Sequence, residues 1–89
     1  MNETLSQIVD AGVVAVLRGV EADRLIEITD ALREGGVTAV EVTADTPDVA
    51  EKVAAVANSF GDELAVGTGT VLDGETARTT LMARAGFVV

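Results

Sequence analysis

Glu41 lies inside the run Val37-Thr38-Ala39-Val40-Glu41-Val42-Thr43. A carboxylate among β-branched neighbours is costly to bury without a partner or a task. Two further groups could work with it. Arg18 closes the apolar run Val13-Val14-Ala15-Val16-Leu17, and Gly67-Thr68-Gly69-Thr70 follows Leu64-Ala65-Val66. A carboxylate, a cation and a glycine segment bearing hydroxyls can hold a small anion and move protons on it. Each also has a plainer reading. Glu41 pairs with Arg18 across neighbouring strands, Arg18 is a solvated strand end, and Gly67-x-Gly69 is a tight strand-to-helix turn. The glycine segment is not a dinucleotide fingerprint, because Leu72 holds the third glycine position, nor a P-loop, because Glu75 follows Gly74.

Other chemistries find less support. Asp45, Asp48 and Asp73 suggest a divalent cation, but acidic turns are abundant in this chain, and no metal site is expected. Lys52, the only lysine, is expected on the wet face of a helix, one turn after Asp48 and paired with it. That placement argues against a desolvated, nucleophilic amine. Histidine and cysteine are absent, which removes the commonest neutral-pH base and metal ligand and all thiolate chemistry.

The net charge of −9, from 15 acidic and 6 basic residues, disfavours nucleic acid and anionic membrane surfaces, both of which need clustered Lys and Arg. No basic stretch leads into an apolar run, and no run approaches the length of a membrane span. The expected setting is cytoplasmic.

Around these residues the pattern alternates between strand and helix. Leu5, Ile8 and Val9 predict a short helix over 3–10, with Thr4 as a candidate N-cap and Gly12 as its stop. The run 13–17 is continuous and apolar, as in strands buried on both faces of a parallel sheet. Leu25, Ile28 and Leu32 give one apolar face to a helix over 21–34, stopped by Gly35-Gly36. Residues 37–43 form a second strand, and Pro47 suits the first turn of a helix over 48–60. Val49, Val53, Val56 and Phe60 form that helix's inner stripe. A third strand over 64–67 runs into a Thr68-Gly69-Thr70 loop. Asp73 caps a helix over 74–85, with Ala77, Leu81 and Ala85 facing in. Phe87-Val88-Val89 begins a fourth strand. Helix, then β-α-β-α-β-α-β, at a spacing near 25 residues means repeated right-handed βαβ units. Two α/β architectures fit: a small open sheet, or the first half of a (β/α)₈ barrel, which needs roughly 250 residues when whole. In both, ligands bind at the C-terminal ends of the strands, where Arg18, Glu41, Thr43, Gly69 and Thr70 converge.

Four segments carry a resemblance: Gly12 to Arg18, Gly35-Gly36-Val37 through Val40-Glu41-Val42-Thr43, Val66-Gly67-Thr68-Gly69-Thr70-Val71-Leu72, and Ala85 to Val89. In order and spacing they resemble the 2-keto-3-deoxy-6-phosphogluconate (KDPG) / 4-hydroxy-2-oxoglutarate (KHG) aldolases. The resemblance implies a class I aldolase on a (β/α)₈ barrel, a homo-oligomer, usually trimeric. Such an enzyme cleaves a 2-keto-3-deoxy acid to pyruvate and an aldehyde through a lysine Schiff base, with no metal or other cofactor. It implies Glu41 as the general acid/base and Thr70 as a contact to the pyruvyl part of the substrate, with an arginine matching Arg18; the expected substrate-binding set is Arg18, Thr43, Gly69 and Thr70.

Two departures accompany the resemblance. Some members carry a substrate-binding arginine four residues after the glutamate, where this chain has Asp45. The family's Schiff-base lysine lies on the sixth strand, beyond the four strands expected here, and Lys52 is misplaced to replace it. The 89 residues by themselves are therefore expected to be inactive. The alternative to an aldolase half is a non-catalytic half-barrel or self-association module, and a third reading is another small-anion enzyme of the phosphate-binding barrel type.

Overall fold

A computed structural model describes residues 3–89. The chain forms α1 (Glu3–Ala11), β1 (Ala15–Leu17), α2 (Ala22–Glu34), β2 (Ala39–Thr43), α3 (Val49–Phe60), a 3₁₀ turn (Gly61–Glu63), β3 (Ala65–Gly69), α4 (Gly74–Met82) and β4 (Phe87–Val88). The four strands form one sheet in the order β1-β2-β3-β4, and every pair is parallel.

Side chains alternate between the two faces of a strand. On one face Leu17, Val40, Val42 and Val66 meet Leu25, Val53, Val56 and Ala85 in the apolar core. On the other face Val16, Glu41, Gly67 and Phe87 stand in register across the four strands. The first helix, α1, packs near the starts of β2 and β3 rather than in the core layer. Its Gln7 side chain donates to the Asp62 carbonyl at 3.0 Å.

Helix ends follow from local chemistry. The α2 helix closes in a Schellman motif, with Gly36 at φ 97°, its amide bonded to Arg33 O and that of Val37 bonded to Leu32 O. Asp73 caps α4 as expected, accepting from the Thr76 amide at 2.9 Å.

Several boundaries differ from expectation. Thr4 lies within the first turn of α1 rather than capping it. β1 is shorter than the run 13–17, and Val13 and Val16 are more than half exposed; one side of the sheet has no layer above these residues. Pro47 stays outside α3, because Asp48 takes a left-handed conformation at φ 56° and the helix begins after it. β3 runs two residues past the expected end, so Thr68 and Gly69 are strand residues paired with Val42 and Thr43, not loop. α4 stops at Met82 rather than near 85, in a second Schellman motif with Arg84 at φ 79°. Thr80 and Ala85 consequently turn inward and Leu81 outward.

Lys52 is the largest correction. It is 8% exposed, not on the wet face, and makes none of the ion pairs found among the described residues, including the expected one with Asp48. Packing of α3 against α2 widens the buried stripe to take in residue 52 beside Val53 and Val56. The aliphatic stem of a lysine suits such a place. A cleft of about 260 Å³ there is lined by Lys52, Ala22, Leu25 and Asp48.

Candidate functional site

The C-terminal ends of the parallel strands bring the candidate residues to one rim. Glu41, in the middle of β2, is half-buried on the face away from the core. Its carboxylate reaches across the neighbouring strand to lie over Gly69. A β-carbon at Gly69 would overlap Glu41 Oε1 and Cδ, so a larger residue there would push this carboxylate aside. Two residues earlier, the Phe87 ring covers Gly67, where a β-carbon would likewise overlap it. The two glycines therefore act by making space across strands rather than by forming a phosphate cradle.

Glu41 does not pair with Arg18. The Arg18 guanidinium goes to Asp45 instead, Nη1 to Oδ2 at 2.5 Å, and its Nη2 reaches the Thr70 hydroxyl at 3.4 Å. Among the described residues no hydrogen-bond donor or cation is assigned to Glu41. The plain reading of Glu41 as one half of a structural ion pair thus fails, because the nearer carboxylate for Arg18 is at the turn after β2. The Arg18–Asp45 pair is more than half exposed on both sides, so solvent screening leaves it little part in stability.

The turn after β2 is built from hydroxyls. Thr43, fully buried, lies 3.0 Å from the Thr46 hydroxyl, which accepts from the Gly19 amide at 3.0 Å. This ties the segment after β1 to the segment after β2. The Thr43 hydroxyl, and then the charge and hydrogen bond of Arg18, hold the Asp45 carboxyl below the usual carboxylate range. Thr43 is therefore turned into the turn rather than toward the open rim.

Thr70 has φ 59°. The left-handed region is a real outlier for a β-branched residue and stores about 1–3 kcal/mol. The segment is over-determined on both sides. Gly69 O accepts from the Ala44 amide at 2.7 Å, Thr68 O accepts from the Val89 amide at 2.8 Å, and the Val71 amide donates to Val89 O at 2.9 Å. These bonds set the exposed Thr70 on the rim beside Arg18. A shallow cleft of about 220 Å³ opens there, lined by Asp45, Thr70, Leu72, Asp73 and Thr76.

Arg18, Glu41, Thr43, Gly69 and Thr70 are thus drawn to one end of the sheet. Sequence reasoning missed three of their neighbours: Asp45 as the partner of Arg18, Thr46 as the link between turns, and Phe87 as the lid over Gly67. The signal for Phe87 was a strand glycine in register with an aromatic residue. Asp45 and Asp73, two of the three aspartates weighed for a cation, are engaged by Arg18 and by the α4 amide, and no group of three or more candidate ligands occurs among the described residues. No helix among them is long and apolar enough to cross a membrane.

The fold recurs in known proteins. A 2-dehydro-3-deoxy-6-phosphogalactonate aldolase of Escherichia coli K12 is 32% identical over 62 residues, spanning 70% of this chain and 30% of that protein. The KDPG aldolase of Zymomonas mobilis ZM4, solved with 3-phosphoglycerate, superposes with a TM-score of 0.84 at 28% identity, over 99% of this chain and 41% of that one. The KDPG aldolase of Legionella pneumophila, solved with pyruvate captured as a covalent carbinolamine, superposes with a TM-score of 0.87 at 25% identity, over 98% and 42%. The chain therefore spans less than half the length of these relatives. Of the two architectures open to the sequence, its sheet is part of a (β/α)₈ barrel rather than a small open sheet. The family model of the KDPG and KHG aldolases matches residues 5–89, and the chain belongs to that family.

Proposed function

We propose that this four-strand arc carries one half of a class I aldolase site. The site cleaves a 2-keto-3-deoxy acid, in the phosphorylated case 2-keto-3-deoxy-6-phosphogluconate to pyruvate and glyceraldehyde 3-phosphate. The observation that carries the reading is Glu41: a half-buried carboxylate with no assigned partner, held over Gly69 and facing the same rim as Arg18 and Thr70. Arg18 and the Thr70 hydroxyl bind the carboxylate of the keto acid. Gly69 leaves the space in which Glu41 meets the substrate. Thr43 acts through Thr46 and Asp45, fixing the turn that holds Arg18. Glu41 is the proton carrier: as the carbon–carbon bond breaks it accepts the proton of the hydroxyl whose oxygen becomes the aldehyde carbonyl, while the bonding pair passes to an iminium formed between the keto group and an amine. Protonation of the resulting enamine and hydrolysis release pyruvate.

That amine lies outside these four strands. Lys52 is on α3, against α2 and on the core side of the sheet, and cannot reach the face that bears Glu41. The 89 residues alone are thus a binding half-site and not a complete enzyme. The working enzyme of this reading is cytoplasmic.

Two measurements test the reading. Pyruvate titrated into the 89-residue chain should shift the amide resonances of Arg18, Gly69 and Thr70 saturably, and Arg18→Ala should abolish the shifts; borohydride should leave no pyruvyl adduct. Grafted onto the remaining barrel of the Legionella relative, the arc should support turnover that Glu41→Gln lowers by at least about 100-fold. Unchanged turnover in Glu41→Gln, or pyruvate shifts confined to other residues, would refute the assignment.

A further inference from the structure

A second group of charged residues lies across the sheet from Glu41. Helices α2 and α3 flank β2, which has a strand on each side, and between them lies the cleft of about 260 Å³. Its walls are Ala22 and Leu25 of α2, Asp48 before α3, and Glu51, Lys52 and Ala55 of α3. The cleft is thus built wholly from residues 22–55. Lys52 is more than nine-tenths buried, yet its ammonium has no hydrogen-bond or ion-pair partner among the described residues. It is also not one of the fully enclosed polar atoms left without a partner, which are the Thr29 and Thr68 hydroxyls, so the tip of the side chain reaches the cleft. Asp48 and Glu51 face the same space, and neither forms an ion pair with Lys52. Neither helix start is capped by a side chain, which leaves amide donors there without a partner.

We propose that this cleft binds a small zwitterionic amino acid with a short apolar side chain. A buried cation without a partner is costly, and a ligand carboxylate at Lys52 offsets that cost with a charge-assisted hydrogen bond. A simple anion would meet repulsion from Asp48 and Glu51, and a simple cation would meet it from Lys52. A zwitterion satisfies both signs: its carboxylate pairs with Lys52 and its ammonium with Asp48 and Glu51. Ala22, Leu25 and Ala55 then cover the side chain. At roughly 30 Å³ for each water-sized group, the cleft has room for a ligand of the size of valine. The proposal does not draw on the aldolase reading and leaves that reading untouched if it fails.

Titration of L-valine into the isotope-labelled 89-residue chain should shift the amide resonances of Ala22, Leu25, Lys52 and Ala55 saturably, with a dissociation constant on the order of 1 mM. Isovalerate, which lacks the ammonium, and isobutylamine, which lacks the carboxylate, should each bind at least about tenfold more weakly. Lys52→Met keeps an unbranched apolar stem, removes the cation, and should lower valine affinity at least about tenfold. Asp48→Asn combined with Glu51→Gln, both at exposed positions, should weaken valine similarly and strengthen isovalerate. If Lys52→Met does not fold, the exposed pair and the two truncated probes still decide the question. Pyruvate shifts at Arg18, Gly69 and Thr70 should be the same in these variants, which separates failure at this cleft from failure of the aldolase reading. Valine shifts that do not saturate or that fall elsewhere would overturn the proposal. So would equal affinity for valine and isovalerate, or unchanged valine affinity in a folded Lys52→Met or in the exposed pair.

Discussion

Adding one methyl group at Gly69 tests the central contact of the site. In Gly69→Ala the new β-carbon overlaps Glu41 Oε1 and Cδ, so the carboxylate must move. The overlapping atoms are the far end of a flexible side chain at a half-buried position, so the carboxylate swings aside at the cost of a rotamer change, about 0.5–1.5 kcal/mol. Against this, replacing glycine where its backbone conformation suits alanine stabilises by about 0.4–1 kcal/mol through the unfolded chain; Gly69 is a strand residue without positive φ. The net expectation with Glu41 intact is a change within about 1 kcal/mol of zero. In a Glu41→Ala background the obstruction is gone, and the same substitution should stabilise by about 0.4–1 kcal/mol. The coupling between the two positions is therefore about 0.5–1.5 kcal/mol. Urea unfolding of the four proteins of this cycle, at one chain concentration, measures it. If Gly69→Ala stabilises equally with and without Glu41, the carboxylate does not lie over Gly69, and the reason for a glycine there is lost.

Thr70→Gly should stabilise the fold by about 0.5–1 kcal/mol, because relief of the left-handed strain exceeds the backbone entropy of glycine, and it should weaken pyruvate binding at the same time; a destabilised variant would show that the strain is not where φ 59° places it. Asp73→Ala should cost about 0.5–2 kcal/mol through loss of the α4 cap, read as a lower urea midpoint. Asp45 and Asp73 both titrate below the ordinary value of 3.8, Asp45 held by Thr43 and then Arg18, and Asp73 by the Thr76 hydroxyl and amide. A depressed folded value means that their stabilisation is complete above the unfolded value and is lost as pH falls through the folded one. Stability should therefore drop as pH is lowered below about 4, and Asp73→Ala should flatten that slope; an unaltered slope would remove Asp73 from the effect.

Much of the fold was legible because it rests on local rules. Gly36 at the end of α2, Asp73 at the start of α4 and the apolar runs at β1, β2 and β3 are written in residue type and spacing, and their hydrogen bonds close within a few residues. The boundaries that moved are those set by distant partners. β3 extends to Gly69 because β2 offers Thr43 opposite it. β1 is cut to three residues because only Ala15, Val16 and Leu17 find partners, Val40, Glu41 and Val42, on β2. The site divided the same way: Glu41, Arg18 and Thr70 stood out as costly or punctuating residues, whereas the preference of Arg18 for Asp45 over Glu41 depends on a distance across 27 positions of chain.

From its sequence alone this protein has a parallel α/β order, a family, and a carboxylate in a strand that needs explanation. Those properties follow from periodicity, helix-end chemistry and motif, which act over a turn or two of chain. Only the tertiary structure decided that Lys52 is buried between helices rather than solvated, and that Gly67 and Gly69 make room for Phe87 and Glu41 rather than cradle a phosphate. It also decided that Val13 and Val16, in a continuous apolar run, are left more than half exposed. Each of these depends on which side chain arrives from a neighbouring strand or helix, and no pattern within one segment encodes that.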